Sequence, residues 1–238
     1  MNYSRARHLG LLIGRIGLHR VLEIEQRDPQ LYSIKLLDKT VKSPDFYDLI
    51  VFNALISYRL RITGEAYWDL FANSVKEGEA CETIIEFLKK HRALGINGKI
   101  RRLMALKGAG FRVSANLDAY KHDPYILLTD LSKVLNSDRT AKTLIFAVKM
   151  FYYAVMVREK ERIRLDMKLP VPVDSRLIRI TRSLGLVSDV HRPKAMEIQR
   201  AWGVISRIAG IPPLNIDSLL WPYKGGDILG YLEGLAKA

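Results

Sequence analysis

Apolar residues recur at helical spacing along most of this chain. From Ser4 to Gln26, leucine, isoleucine and valine return every three or four residues, which predicts a single amphipathic helix. Similar patterns predict helices over residues 46–61, 79–91, 95–106, 142–157 and 194–209. No stretch shows the sustained alternation of apolar and polar residues that is typical of a half-buried strand. The sequence therefore predicts an all-α fold.

The stretch over residues 125–182 has the clearest internal order. It predicts a short helix, a polar hairpin over residues 136–140, a long apolar helix, a basic connector, and a further helix that begins at Asp174. Residues 116–123 are polar and predict a turn. Trp221 precedes a proline, so we expect it to be extended.

The charge of the chain indicates the class of its partner. Lysine and arginine number 38 against 25 aspartates and glutamates, which gives a formal net charge of +13. Such an excess on a compact domain usually indicates a polyanionic partner, most often a nucleic acid. The alternative is the lysine-rich surface of hyperthermophile proteins, but those surfaces balance lysine with glutamate. We therefore expect a nucleic-acid partner.

Metal- and cofactor-dependent chemistry has little support in the sequence. Cys81 is the single cysteine, so the chain can form neither an internal disulfide nor a thiolate cluster. The five histidines are scattered without the spacing of a metal motif. The most apolar window, residues 143–157, contains Lys149 and is too short to span a bilayer. We expect a cytoplasmic protein with no metal, no cofactor and no membrane contact.

Lys142 follows the polar hairpin and lies in the first turn of the long apolar helix. Amides at the N-terminus of that helix favour phosphate binding, because they and the helix dipole point toward an anion. The lysine is then either a nucleophilic amine, made reactive by burial against Ile145 and Phe146, or a solvated side chain that only contacts phosphate. Spacing alone favours the second interpretation.

Asp174 follows Val171-Pro172-Val173, a rigid extended approach that fixes the direction of its carboxylate. An aspartate that caps a helix needs no other role. The alternative is a catalytic carboxylate, which accepts a proton or stabilises positive charge that develops on a sugar ring. The residues alone leave both interpretations open.

Several separated blocks resemble one group of DNA repair enzymes. VPVDSRL after a lysine-bearing hairpin resembles the helix–hairpin–helix DNA glycosylases, whose V-P-V-D-x-x-V/L segment carries the catalytic aspartate. Within that superfamily the chain resembles the archaeal 8-oxoguanine DNA glycosylase family, AGOG. The blocks are DPQLY (28–32), ISYRLRITGEAYW (56–68), TAKTLIF (140–146), LPVPVDSRL (169–177) and IDSLLWP (216–222). One departure is the hairpin, which reads N-S-D-R-T where the superfamily usually has glycines.

The resemblance implies one bilobal domain over residues 1–238, with the helix–hairpin–helix element at about 125–158. The active site would lie in the cleft between a central lobe and a lobe that combines both termini. The implied enzyme is bifunctional: it flips 8-oxoguanine out of DNA, excises it, and cleaves the strand by β-elimination. Lys142 would form the Schiff base with Asp174 as its catalytic partner. No cofactor is implied, and the expected partner of this monomer is DNA containing 8-oxoguanine.

The resemblance also implies a pocket for the flipped base. Phe146 and Trp221 would stack on its two faces. Its polar edge would contact Gln30, Ser57, Trp68 and Asp217. An acceptor against N7–H, a donor that guanine lacks, would select the oxidised base, and either the Gln30 amide or a carbonyl oxygen can provide it. The residues expected to contact the DNA are Lys133, Asn136, Ser137, Arg139, Thr140 and Arg176.

Two other functions remain open. A helix–hairpin–helix glycosylase for a different damaged or mismatched base would keep Lys142 and Asp174 in their roles and differ in its pocket. A non-catalytic helical protein that binds nucleic acid would use Lys142 only to contact phosphate.

Overall fold

The computed structural model describes residues 1–187 and 193–237, and every regular element in these ranges is helical. The all-α prediction is confirmed. His191, one of the scattered histidines, lies outside the described residues. Within those residues, no helix is both long enough and apolar enough to cross a bilayer. The chain divides into two compact units, which we call the central unit (Pro29–Arg164) and the terminal unit (Met1–Asp28 with Leu165–Ala238).

The central unit is built around two helices that pack against each other, α3 and α9. Every residue of α3 from Phe46 to Ile56 is buried, as expected for a helix that is apolar on all sides. Its buried Asp48 accepts hydrogen bonds from the Val113 amide and the Ser114 hydroxyl, which offsets part of the cost of burial. The helices of this unit are α2 (Pro29–Thr40), α3 (Asp45–Ile56), α4 (Gly64–Ser74), α5 (Ala80–Lys90), α6 (Ile96–Gly108), α7 (Leu117–His122), α8 (Pro124–Val134) and α9 (Lys142–Arg158).

The terminal unit packs its helices around Trp202, which is fully buried. The indole nitrogen of Trp202 donates to the Thr181 hydroxyl at 2.9 Å, and that hydroxyl donates to the Leu177 carbonyl at 2.6 Å. The buried tryptophan is therefore satisfied by a neighbouring helix. The helices of this unit are α1 (Tyr3–Glu25), α10 (Ser175–Ser183), α11 (Ala195–Ala209), α12 (Pro213–Leu220) and α13 (Ile228–Lys237).

The prediction of one continuous helix from Ser4 to Gln26 is wrong at Gly17. There the backbone takes φ 76° and ψ 155°, a conformation that is almost restricted to glycine. Ile13 before the break and Val21 after it are both buried. The kink therefore keeps both halves of the segment against the core.

The helix predicted over 46–61 ends early, at Ile56. Ser57 closes its last turn, because its amide donates to the Ala54 carbonyl and its hydroxyl donates to the Asn53 carbonyl. The chain then leaves the helical conformation, and Arg59 takes a positive φ of 49°.

Two further local predictions are wrong. The polar stretch over 116–123 is not only a turn, since it contains helix α7. Trp221 is helical, with φ −64° and ψ −44°, although it precedes a proline. Its amide donates to the Asp217 carbonyl at 3.1 Å, so the last turn of α12 outweighs the local preference for an extended residue.

Replacing Gly17 by alanine should lower the free energy of unfolding by about 1–3 kcal/mol, measured by equilibrium urea denaturation. No atom lies within 4 Å of the added methyl group, so the cost comes from the backbone conformation alone. Gly108→Ala is the matched control: its position is also open but lies within α6, and we expect it to be neutral or stabilising by up to about 1 kcal/mol. Wild-type stability for Gly17→Ala would contradict the strained conformation.

Candidate active site

The predicted site residues fall into both compact units. Those of the central unit are Gln30, Ser57, Trp68, Lys133, Asn136, Ser137, Arg139, Thr140, Lys142 and Phe146. Those of the terminal unit are Asp174, Arg176, Asp217 and Trp221, and we call these four the Asp174 cluster.

Asp174 is held at the start of α10 as its N-cap residue. Its backbone is extended, with φ −117° and ψ 179°, as expected after the Val171-Pro172-Val173 approach. Its Oδ1 accepts a hydrogen bond from the Leu177 amide at 2.8 Å, and its Oδ2 lies 4.0 Å from Arg176 Nε. The cap therefore fixes one carboxylate oxygen and leaves the other beside a guanidinium.

Arg176 brings the Asp174 cluster together. Its guanidinium lies over the Trp221 ring, 4.2 Å from the centroid, and its Nη2 donates to Asp217 Oδ1 at 3.4 Å. Asp217 is 4% exposed, so this ion pair is shielded from water. One cation thus orients two carboxylates and covers part of an aromatic side chain.

Two further donors of Arg176 remain unused. Its Nε and Nη1 are buried and have no hydrogen-bond acceptor among the residues that the structure describes. Buried donors without partners are costly, and each of these two nitrogens can still donate to an oxygen of a ligand. The arrangement can therefore bind an anion.

In the central unit, Trp68 contacts Phe146. Their ring centroids are 6.2 Å apart with an interplanar angle of 73°, an edge-to-face arrangement. Trp68 is 1% exposed, and its indole N–H has no acceptor in the described part of the chain. The indole is therefore a second buried group, after the Arg176 guanidinium of the terminal unit, that can donate a hydrogen bond to a ligand oxygen.

Lys142 is the first residue of α9, one turn before Phe146 on the same helix face. Lys142 is exposed, so burial against Ile145 and Phe146, the condition of the first of the two interpretations, is absent. Ala141 occupies the N-cap position and offers no side-chain cap. The Lys142 amine has neither a hydrogen bond nor an ion pair within the described ranges, and so is open to a reactant from solution.

The hairpin uses several of its own amides. Those of Asn136, Ser137 and Thr140 donate to oxygens of residues 132–138, at distances of 2.7 to 3.2 Å. The amides of Asp138 and Arg139 have no acceptor within residues 1–187 and 193–237. If phosphate binds the hairpin backbone, these two amides and the Lys142 amide are its donors.

The side chains of the other predicted DNA contacts lie at the surface. The Arg139 guanidinium donates to the Tyr125 hydroxyl at 2.9 Å and is exposed. Lys133 is also exposed, and its amine lies 3.5 Å from Asp130 on the same helix. Both cations can reorient toward an external anion, because exposed pairs of this kind contribute little stability.

Gln30 and Ser57 lie at helix ends of the central unit, Gln30 at the start of α2 and Ser57 directly after α3. Gln30 is 3% exposed in the first turn of α2, and a Cβ atom at Gly64 would lie 3.8 Å from its Nε2. Ser57 donates its hydroxyl to the Asn53 carbonyl at 2.7 Å, so a lone pair of that hydroxyl remains for another donor.

The sequence analysis missed Asn53 and Tyr67, which support this part of the unit. The Tyr67 hydroxyl donates to Asn53 Oδ1 at 2.6 Å, and both side chains are buried. Burial raises the pKa of Tyr67, so the hydroxyl stays protonated as the donor. A buried asparagine in an otherwise apolar helix is the signal that points to such a network.

Comparisons with known proteins give consistent findings. A family model described as "AGOG: N-glycosylase/DNA lyase" matches residues 10–229. The N-glycosylase/DNA lyase of Pyrobaculum aerophilum is 33% identical over 214 residues, which cover 87% of this chain and 81% of that protein. The N-glycosylase/DNA lyase of Methanopyrus kandleri is 35% identical over 214 residues, which cover 87% of this chain and 85% of that protein.

A solved structure is also similar. It is the crystal structure of Pa-AGOG, the 8-oxoguanine DNA glycosylase from Pyrobaculum aerophilum, in complex with 8-oxoguanosine. The TM-score is 0.80 at 26% sequence identity, and the alignment covers 99% of this chain and 97% of the other.

The cap at Asp174 can be tested by unfolding in urea. Asp174→Ala should lower the free energy of unfolding by about 1 kcal/mol, because the Leu177 amide loses its acceptor. Asp174→Asn keeps a side-chain oxygen at the cap and should stay within about 0.5 kcal/mol of wild type. If asparagine costs as much as alanine, the charge rather than the cap carries the stabilisation.

Proposed function

The chain belongs to the AGOG family of N-glycosylase/DNA lyases, and we propose that it excises 8-oxoguanine from DNA and then cleaves the strand at the abasic site. The observation that carries the proposal is the pair of chemical groups that this fold presents. Lys142 is an open amine at the N-terminus of α9, and Asp174 is a carboxylate fixed at the start of α10. Together they can supply the covalent and electrostatic steps of such a reaction without a cofactor.

Lys142 is the nucleophile of the proposed reaction. Its Nζ attacks C1′ of the damaged nucleotide, the C1′–N9 bond breaks, and the base leaves with the bonding electrons and takes up a proton. The sugar ring opens, and the amine and C1′ form a Schiff base. Loss of a proton from C2′ then expels the 3′ phosphate, which cleaves the strand. Water hydrolyses the imine and restores the lysine.

Asp174 supports the same reaction electrostatically. Positive charge develops on the sugar as the C1′–N9 bond breaks, and a carboxylate held in place stabilises it without reorganising. The bond from the Leu177 amide keeps this carboxylate from rotating. Its second oxygen can also accept a proton during the reaction.

The proposed selection of 8-oxoguanine follows from its two differences from guanine. The oxidised base has an acceptor, O8, and a donor, N7–H, where guanine has C8–H and an N7 acceptor. The unpaired Trp68 indole N–H suits O8, and an acceptor such as the Gln30 amide oxygen suits N7–H. A buried donor that stays unpaired with guanine penalises the undamaged base.

The other predicted pocket residues add stacking and polar contacts. Phe146 and Trp221 each offer an aromatic surface for a base, and Arg176 already covers one face of Trp221. A base would therefore stack on the opposite face of the Trp221 ring. Asp217 accepts N–H donors of the base, and the Ser57 hydroxyl offers a further polar contact.

Sodium borohydride trapping tests the role of Lys142. On an oligonucleotide with one 8-oxoguanine, wild type should yield a covalent protein–DNA adduct, because borohydride reduces the Schiff base to a stable amine. Lys142→Gln should yield none while it still binds the oligonucleotide. Lys90→Gln, which removes an exposed lysine from α5, is the control and should trap like wild type.

Each other result assigns a different chemistry. An adduct that persists in Lys142→Gln would mean that another amine reacts. Tight, salt-sensitive binding with neither an adduct nor a released base would leave only a nucleic-acid-binding protein. Trapping on a different lesion in a substrate panel, and not on 8-oxoguanine, would favour a glycosylase for another base.

Trp68→Phe tests the selection of the base. It removes the indole N–H and should lower the ratio of excision rates for 8-oxoguanine over guanine analogues by about tenfold, since one hydrogen bond to the damaged base is lost. Trp202→Phe is the matched control, because that tryptophan is equally buried and its N–H already has a partner within the terminal unit. It should lower stability and leave the selectivity unchanged. Unchanged selectivity in Trp68→Phe would exclude Trp68 as a reader of O8.

A further inference from the structure

Arg102 connects the end of α3 to the beginning of α9. It lies on α6, and its Nη1 donates to the Leu55 carbonyl at 3.1 Å and to the Thr143 hydroxyl at 3.1 Å. Leu55 belongs to the last turn of α3, and Thr143 is the residue after Lys142. One guanidinium nitrogen therefore joins two helix ends within the central unit.

The Leu55 carbonyl is one of the acceptors that a helix leaves unsatisfied at its C-terminus. Ser57 satisfies the carbonyls of Asn53 and Ala54, and the Tyr58 amide donates to the Ile56 carbonyl at 2.8 Å. Arg102 supplies the donor for the remaining carbonyl. The guanidinium thus provides the last hydrogen bond at the C-terminus of α3. That bond fixes the position from which Arg102 reaches α9.

At α9 the guanidinium acts where the helix lacks a cap. Ala141 has no side chain that can accept from the first turn, and an uncapped first turn is less well fixed. The Thr143 hydroxyl is the side-chain anchor at this end, and Arg102 holds it. The direction of the neighbouring Lys142 side chain depends on the geometry of that turn.

The electrostatic surroundings of Arg102 act in opposite directions. The C-terminus of α3 attracts its positive charge, whereas the N-terminus of α9 repels it and burial lowers the pKa of the guanidinium. In the described part of the chain no carboxylate pairs with Arg102. The Tyr58 ring, 5.8 Å from the guanidinium carbon, offsets part of this cost. Its two hydrogen bonds give the guanidinium a defined place between the two helix ends.

We propose that Arg102 is a positioning residue for Lys142: through the Thr143 hydroxyl it fixes the first turn of α9 and so aims the amine at the sugar. The inference rests on the proposed role of Lys142 as the nucleophile. It assigns no contact between Arg102 and the DNA. Arg102 should therefore affect the rate of the covalent step and not the affinity for the substrate.

The test is a double-mutant cycle with Arg102→Met and Thr143→Val. Single-turnover excision of 8-oxoguanine is measured at saturating enzyme, with the rate of borohydride trapping on a preformed abasic site as the second readout. Small displacements of a reacting group lower rates by up to about a hundredfold. We expect a loss of about tenfold for Thr143→Val and at least as much for Arg102→Met, with dissociation constants within about twofold of wild type.

The coupling between the two variants decides the mechanism. If Arg102 acts through Thr143, the double variant should be no slower than Arg102→Met alone, because both changes break the same contact. Thr143→Ser, which keeps the hydroxyl, should recover most of the rate. If Arg102→Met does not fold, the comparison of Thr143→Val with Thr143→Ser carries the test. Arg207→Met, an exposed arginine on α11, controls for the loss of one positive charge.

Several outcomes would overturn the inference. Losses that multiply in the double variant would show that Arg102 acts independently of Thr143. Weaker binding with a wild-type rate at saturation would make Arg102 a phosphate contact. A Thr143→Ser variant as slow as Thr143→Val would show that the Thr143 hydroxyl does not position Lys142. An inactive wild type would instead reject the proposed function, whereas active Arg102→Met and Thr143→Val variants would reject only the positioning role.

Discussion

The packing of α3 against α9 is the interaction on which the central unit depends. Both helices are apolar on nearly all sides, and burial of that surface fixes the axis of α9 over most of its length. Lys142, in the first turn, is the one exposed residue of α9. A rigid buried helix that exposes one end suits a reactive amine. Packing in the core fixes the position of the amine, and its exposure to solvent keeps it accessible.

Asp174 combines a structural role with the proposed chemical one. As the N-cap of α10 it contributes to stability, and the same hydrogen bond from the Leu177 amide fixes the direction of the carboxylate. A group that must stabilise developing charge works best when it does not have to reorient. The capping geometry therefore suits the proposed chemical role, and Arg176 extends that order to Asp217 and Trp221.

Unpaired buried donors are the strongest signs of a ligand in this structure. The Trp68 indole and two nitrogens of the Arg176 guanidinium lack acceptors within the described residues. Each such donor costs about 1–3 kcal/mol while it stays unpaired in a folded protein, and a bound ligand that accepts from it removes that cost. The indole suits a carbonyl oxygen such as O8, whereas the guanidinium suits a phosphate.

The sequence by itself determined the all-α fold, the cap at Asp174 and the position of Lys142 at the start of a helix. These depend on periodicity and on interactions between residues close together in the chain. Only the tertiary structure decided the kink at Gly17 and the helical conformation of Trp221. It also decided the exposure of Lys142, the stacking of Arg176 on Trp221, and the contacts of Arg102 with two helix ends. The contacts of Arg176 and Arg102 join residues up to 47 positions apart, such as Leu55 and Arg102, whose meeting is set by packing and leaves no local pattern.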